Sequence, residues 1–198
     1  MVELQHRQDE PPELAAFLAA HPDPAVSDFD SLAFAPAKRA VKAALNQDQG
    51  GLCVYCEREL APNAGQIDHI KPKAGGHANP GLCFSYRNYA HSCIHPKTCG
   101  QQKGDRLLPI EPGPDCNRQW ALSLDGRIKP VEFAGQTRQQ RHQVRQACDM
   151  LGLNADTTLV AERKHWYRQA YAILMTEPQA LDDFLLAAPY RHILVTVL

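Results

Sequence analysis

The sequence predicts an α+β chain, with a loop-rich, metal-pinned centre of short strands between N- and C-terminal helices. Three observations carry that prediction. The stretch from Leu52 to Pro114 concentrates Gly, Pro, Cys and His and keeps little helical period. Four cysteines fall within it at spacings that suit a metal ion. On both sides of it, apolar residues return at helical intervals.

The elements follow in order. "ELAAFLAAHP" predicts a short helix stopped by its proline. "APAKRAVKAALNQDQGG" predicts a second, closed by Gly50 and Gly51. "WALSLDGRIKPV" predicts a hairpin turning at Asp125-Gly126. Farther on, Val144, Ala147, Cys148 and Leu151 share one helix face, and Arg138, Arg141 and Arg145 another. Gly152 ends that helix, and Asn154 is placed to cap the next, which Trp166, Ala170 and Leu174 continue. Thr176 and Gln179 have capping-box spacing for a last helix. The chain thus divides into a helical segment (1–50), a metal-pinned core (51–112) and a hairpin with helices (113–198).

At 198 residues and 44% hydrophobic, the chain can bury a core without disulfides. Its polar, acidic opening and the lack of any apolar run of about 18 residues predict a soluble, cytoplasmic protein with no membrane contact. Seven cysteines, an odd number in a reducing compartment, favour metal binding over disulfides. A formal net charge of −1 is uninformative, but between Gly51 and Arg106 seven Lys/Arg face four acids. Such a surplus can hold a polyanion or be ordinary solvated surface.

Cys53 and Cys56 form a Cys-x-x-Cys pair, and Cys93 and Cys99 a looser second pair. Together they offer the four sulfur ligands of closed, structural Zn²⁺, against the plainer reading of four buried free thiols. Cys83, Cys116 and Cys148 lack paired spacing and read as small core residues. A closed four-thiolate site has no open coordination position, so it leaves Asp68-His69 unexplained. A thiol redox role for Cys53-x-x-Cys56 lacks the βαβ flanks it needs.

Between the cysteine pairs stand "QIDHIKPKAGG" and "YRNYAHSC", and after Cys99 comes "GQQKGDR". The series Cys-x-x-Cys, Asp-His-Ile-x-Pro, Asn-x4-Cys, Cys-x3-Lys-Gly resembles the HNH endonucleases, the ββα-metal nucleases. "QGGLCVYCEREL", "LDGRIKP" and "LGLNADTTLVAERKHW" extend the likeness to the nuclease subunits of Septu-type antiphage systems and to retron-associated HNH effectors. The resemblance implies a small zinc-stabilised ββα-metal core that cleaves DNA or RNA. It implies a general base at His69, a catalytic Mg²⁺ or Mn²⁺ on Asp68 and a loop-orienting role for Asn88. It places phosphate contacts at Lys103 and Arg106, and it implies an ABC-type ATPase partner subunit in a defence complex. The chemistry agrees. Phosphodiester hydrolysis needs a base for water and a cation for the leaving oxygen, and a neutral imidazole and a carboxylate suit those tasks.

One position departs from the pattern. The residue after the last cysteine, ordinarily His or Asn, is Gly100, with His91, His95, Gln101 and Asp105 nearby. A zinc-built nucleic-acid-binding or scaffold module with a decayed site is therefore the second reading. No Gly-rich loop of nucleotide-binding spacing is present, so any nucleotide-dependent control would come from a partner. Trp166 and Tyr167 are the docking candidates, with core packing as the alternative.

Overall fold

A proline opens the first helix and a proline closes it. Pro12 starts α1 (Pro12–Ala20), which buries Leu14 and Phe17. The ring of Pro22 holds the preceding His21 out of helical geometry, at φ −132° and ψ 80°. The computed structural model describes residues 1–132 and 136–198. The second helix, α2 (Ala35–Asp48), buries Ala37, Val41, Ala44 and Leu45, and Gly50 and Gly51 take positive φ just beyond it, as expected.

The centre is a two-stranded antiparallel sheet followed by a helical turn. β1 (Gln66–His69) pairs with β2 (Tyr89–Ser92), with Gln66 opposite Ser92 and His69 opposite Tyr89. The short α3 (Cys99–Lys103) comes next. A second hairpin, β3 (Trp120–Leu122) with β4 (Ile128–Pro130), turns at Asp125-Gly126. Gly126 has φ +87°, and a Cβ there would lie 2.2 Å from the Val160 carbonyl, so no other residue fits without a shift.

Helices fill the last third. α4 (Arg138–Met150) is capped by Thr137, whose hydroxyl accepts from the Gln140 N–H while the Gln140 side chain accepts from the Thr137 N–H. Asp156, two residues past the expected cap, starts α5 (Thr157–Thr176). Asn154 instead bonds both backbone groups of Ile128, so it joins the hairpin to the helices. The Thr176–Gln179 capping box does not form: Thr176 closes α5, bonding its own Ala172 carbonyl, and α6 (Leu181–Ala187) starts after Ala180. The chain reaches α7 (Arg191–Leu194). No described helix is long and apolar enough to cross a membrane.

Two apolar clusters organise these elements. One gathers Leu14, Phe17, Phe29, Phe34, Val41, Ile67 and Phe84 around β1. Burying each aromatic ring contributes on the order of 2–3 kcal/mol. The other joins Leu52, Tyr55, Trp120, Val144, Leu151, Tyr190 and Ile193, so the cysteine knuckle packs directly on the C-terminal helices. Backbone bonds tie the same parts: Cys99 donates to Leu151, and Tyr190 to Glu57. The buried Glu57 carboxylate accepts from the His192 N–H and pairs with the Met1 ammonium at 2.9 Å.

Candidate active site and metal centre

The four predicted cysteines meet. Loops place Cys53, Cys56 and Cys93, the start of α3 places Cys99, and their sulfurs all lie within 4.8 Å of one another. Cys53, Cys56 and Cys99 are buried, and the Cys93 N–H donates to the Cys53 sulfur at 3.3 Å. Hydrogen bonds from Cys53 and the other two thiols hold Cys93 far below the usual thiol range, while burial pushes Cys99 well up. Four sulfurs sharing protons in so small a volume are a donor set that can hold Zn²⁺. Cys83, Cys116 and Cys148 are buried outside this group.

Asp68 and His69 end β1 and border a cleft of about 190 Å³, together with Phe29, Gln66, Lys73 and Gly100. The His69 ring packs 4.6 Å from Phe29 and 5.2 Å from Tyr89. Its Nε2 lies 2.9 Å from the Cys83 carbonyl oxygen. A carbonyl only accepts, so Nε2 carries the proton and Nδ1 keeps the lone pair. Burial holds this imidazole down at about 4, with Lys73 and Lys103 acting in the same direction, so it is neutral at pH 7.

Asn88 is not in the cleft but behind it. Its amide accepts from the Lys71 N–H at 2.8 Å and donates to the carbonyls of Lys71 and Leu82. The neighbouring Tyr89 hydroxyl donates to the Cys83 carbonyl at 2.5 Å. Asn88, just before β2, and Tyr89, its first residue, thus fix the segment whose carbonyl orients His69.

Lys103 and Arg106 are spent inside the protein. The Lys103 ammonium is 3.1 Å from Asp68 Oδ2 and 2.7 Å from the His69 carbonyl, with its side chain 1% exposed. Arg106 donates to the carbonyls of Lys103, Gln102 and Met150 and does not border the cleft. Lys103 borders the cleft with its ammonium on Asp68, while Arg106 serves carbonyls at helix ends.

Two neighbours of Asp68 had no sequence signal. The Tyr55 hydroxyl, inside the Cys-x-x-Cys loop, donates to Oδ2 at 2.5 Å. Oδ1 faces Gly100, where an added Cβ would lie 3.0 Å from Oδ1, 3.0 Å from the Ser92 hydroxyl and 2.8 Å from the Gln66 amide. The place where a side chain after Cys99 would begin is thus filled from the two strands. Burial pushes the Asp68 carboxyl up, against the pull of Lys103 and Tyr55. With Lys103 and Tyr55 on Oδ2, Asp68 Oδ1 is the open carboxylate oxygen, a hard donor suited to Mg²⁺ or Mn²⁺; the Gln66 side chain presents its Nε2 here, because its oxygen accepts from Gln101. Of the other nearby candidates, His91 bonds the Ala64 carbonyl, His95 approaches Asp156, and Gln101 bonds Gln66. Asp105 borders the cleft. Trp166 and Tyr167 are half-buried against the core.

No protein-family model matches the chain. Among curated proteins, one from Vibrio cholerae serotype O1 biovar El Tor, described as "Retron Vc95 putative HNH endonuclease", is 38% identical over 177 residues. The match covers 85% of this chain and 85% of that protein.

Proposed function

The chain belongs to the HNH endonucleases linked to retrons, and on that premise we propose that it hydrolyses nucleic-acid phosphodiester bonds at the Asp68–His69 cleft with a divalent cation. The observation that carries the reading is the state of His69: a neutral imidazole, its Nε2 proton fixed on a backbone carbonyl, beside a carboxylate in one cleft. A scaffold has no need of such a base.

On this reading residues 51–112 are the nuclease core, with β1, β2 and α3 in the order a ββα-metal fold requires and the four cysteines holding structural Zn²⁺. Residues 1–50 and 113–198 flank it. His69 takes a proton from water at Nδ1. The substrate's negative charge raises its basicity from the low value that burial sets. Asp68 would hold Mg²⁺ or Mn²⁺ through Oδ1, and the ion would supply positive charge for the leaving oxygen. Asn88 keeps the Lys71–Cys83 loop in place, and Lys103 fixes Asp68 rather than touching phosphate.

The rival is a binding module with a disabled site, which the Lys103 ammonium on Asp68 favours. The two separate in one assay. The purified zinc-loaded chain is incubated with plasmid DNA and with RNA, in Mg²⁺, Mn²⁺ or EDTA. Metal-dependent cleavage, reduced at least about a hundredfold by His69→Ala with zinc content intact, supports the nuclease. Metal-independent or absent cleavage removes it.

The same reading places the chain in the cytoplasm, as effector of an antiphage complex with an ABC-type ATPase. It rests on the resemblance to Septu-type subunits and on the chain's lack of a nucleotide-binding loop. Co-expression with a neighbouring ATPase should give one peak on size exclusion. Separate elution, with full activity of this chain alone and no host toxicity, counts against the complex.

A further inference from the structure

We propose that the α2 face carrying Lys38, Arg39 and Lys42 seats the nucleic-acid backbone beside the scissile bond, an inference that rests on the nuclease reading. A trough of about 420 Å³ runs between α2 and β1, lined by these three side chains with Asp30, Gln66 and Ile67. It shares Phe29, Gln66 and Ile67 with the cleft at Asp68 and His69, so the two lie side by side.

The distribution of charge is not accidental. The first fifty residues hold eight acids and only four bases, Arg7, Lys38, Arg39 and Lys42. Three of those four line the trough, and the fourth is held by Asp48 at 2.8 Å. Ala35, Lys38, Arg39 and Lys42 follow i, i+3, i+4, i+7, while Ala37, Val41, Ala44 and Leu45 are buried on the other side. One acid, Asp30, stands among them, taken up by Lys38 at 2.7 Å and Lys73 at 3.4 Å. Lys42 rests on the Asn63 carbonyl at 2.9 Å, and among the described residues no acid pairs with it. Arg39 is exposed and has no ion pair among the described residues. Three cations against one acid thus face the trough.

Dimensions agree as well. Lys38 and Lys42 are separated by about 6 Å along the helix axis. A nucleic-acid strand carries one charge per roughly 3.4 Å of its axis, so this stripe spans about two such intervals and its three cations match about three successive phosphates. Lys73 carries the series onward: it borders the catalytic cleft, and its ammonium and that of Lys38 lie 4.1 and 4.2 Å from the Phe29 ring centre. Phe29 in turn packs on His69, so the backbone track and the base share one rigid support.

The test measures affinity against salt for zinc-loaded chain carrying His69→Ala, which keeps the probe intact. The probes are a fluorescein-labelled 20-base-pair DNA duplex and a 20-nucleotide RNA. Lys38→Gln/Arg39→Gln/Lys42→Gln is compared with the parent, and Gln keeps a donor for the carbonyls that Lys38 and Lys42 now serve. Each lost phosphate contact lowers the slope of log K against log salt by about 0.7–0.9, so three lower it by roughly 2–3. Affinity at 0.1 M salt should fall on the order of a hundredfold. Arg39→Gln alone, with no contact to disturb, should lower the slope by about one contact's worth even if the triple variant is unstable. Arg138→Gln/Arg141→Gln/Arg145→Gln is the competing arm. A slope that falls for the α4 variant and not for the α2 variants overturns the proposal and leaves the nuclease reading standing. A parent that binds neither probe overturns both.

Discussion

Lys103→Met is the substitution whose cost follows most directly from the structure. It replaces a side chain of similar length while deleting the ammonium 3.1 Å from Asp68. At an effective dielectric constant of about 20, two unit charges at this distance attract by about 5 kcal/mol. Measured losses on removing one partner of a buried pair are about 3–5 kcal/mol, because the other charge is left uncompensated. Both side chains are buried, at 1% and 10% exposure, so little solvent screening reduces that figure. A domain of this size is stabilised by only about 5–15 kcal/mol in all, so the variant should unfold at far lower denaturant. Burial already pushes the Asp68 carboxyl up, and loss of Lys103 raises it further. A carboxyl raised in the folded state binds more protons there than in the unfolded chain. The variant should therefore gain stability as the pH falls toward the ordinary carboxylate range and lose it as the pH rises. The assay is urea unfolding by circular dichroism, in metal-free buffer and in Mn²⁺, for wild type, Lys103→Met, Asp68→Asn and the double variant. The double variant should recover at least about 2 kcal/mol relative to additivity. A Lys103→Met chain within about 1 kcal/mol of wild type, or strictly additive losses, would refute the buried-pair argument.

Three further outcomes are expected. The His69 imidazole is held down at about 4 in the free protein and must be unprotonated to act, so kcat/KM should stay level down to about pH 5 and fall below about pH 4; an acid limb centred near 6.5 refutes this. Asn88→Ala removes three hydrogen bonds, worth about 3 kcal/mol together, and should lower kcat more than it changes KM; a change in KM alone would mean the loop does not orient His69. Cys93→Ser should yield insoluble or protease-sensitive chain, and purified wild type should carry one zinc; elemental analysis below about half an equivalent excludes the closed site.

The parts legible in the sequence are those governed by local rules. Cys-x-x-Cys spacing, the Asp-Gly turn and the face formed by Val144, Ala147 and Cys148 depend on a few neighbouring residues, and each is found where expected. What failed depends on partners distant in the chain. Asn154 has capping chemistry, but the edge of β4 offers it two backbone groups and leaves Asp156 to cap α5. The inward direction of Lys103 is likewise set from a distance, by Asp68, 35 residues earlier. The basic face of α2 was hidden because charge averaged over fifty residues erases the sidedness of one helix. Gln66 and Tyr55 had no signal because an amide and a phenol acquire meaning here only beside Asp68.

The ties between the cysteine knuckle and the last helices also set the order in which the core can close during synthesis. Every residue of the cleft has been added to the chain once Asp105 has been joined, yet Glu57 waits for Tyr190 and His192 to satisfy its backbone and carboxylate. Ribosomes add about 5–20 residues each second, so roughly 4–17 s separate the last cleft residue from the first of those partners. Throughout that interval the knuckle lacks the Tyr190, His192 and Ile193 N–H groups that Glu57 accepts from. The cleft is thus complete in sequence early, while the keystone that buries Glu57 is added late.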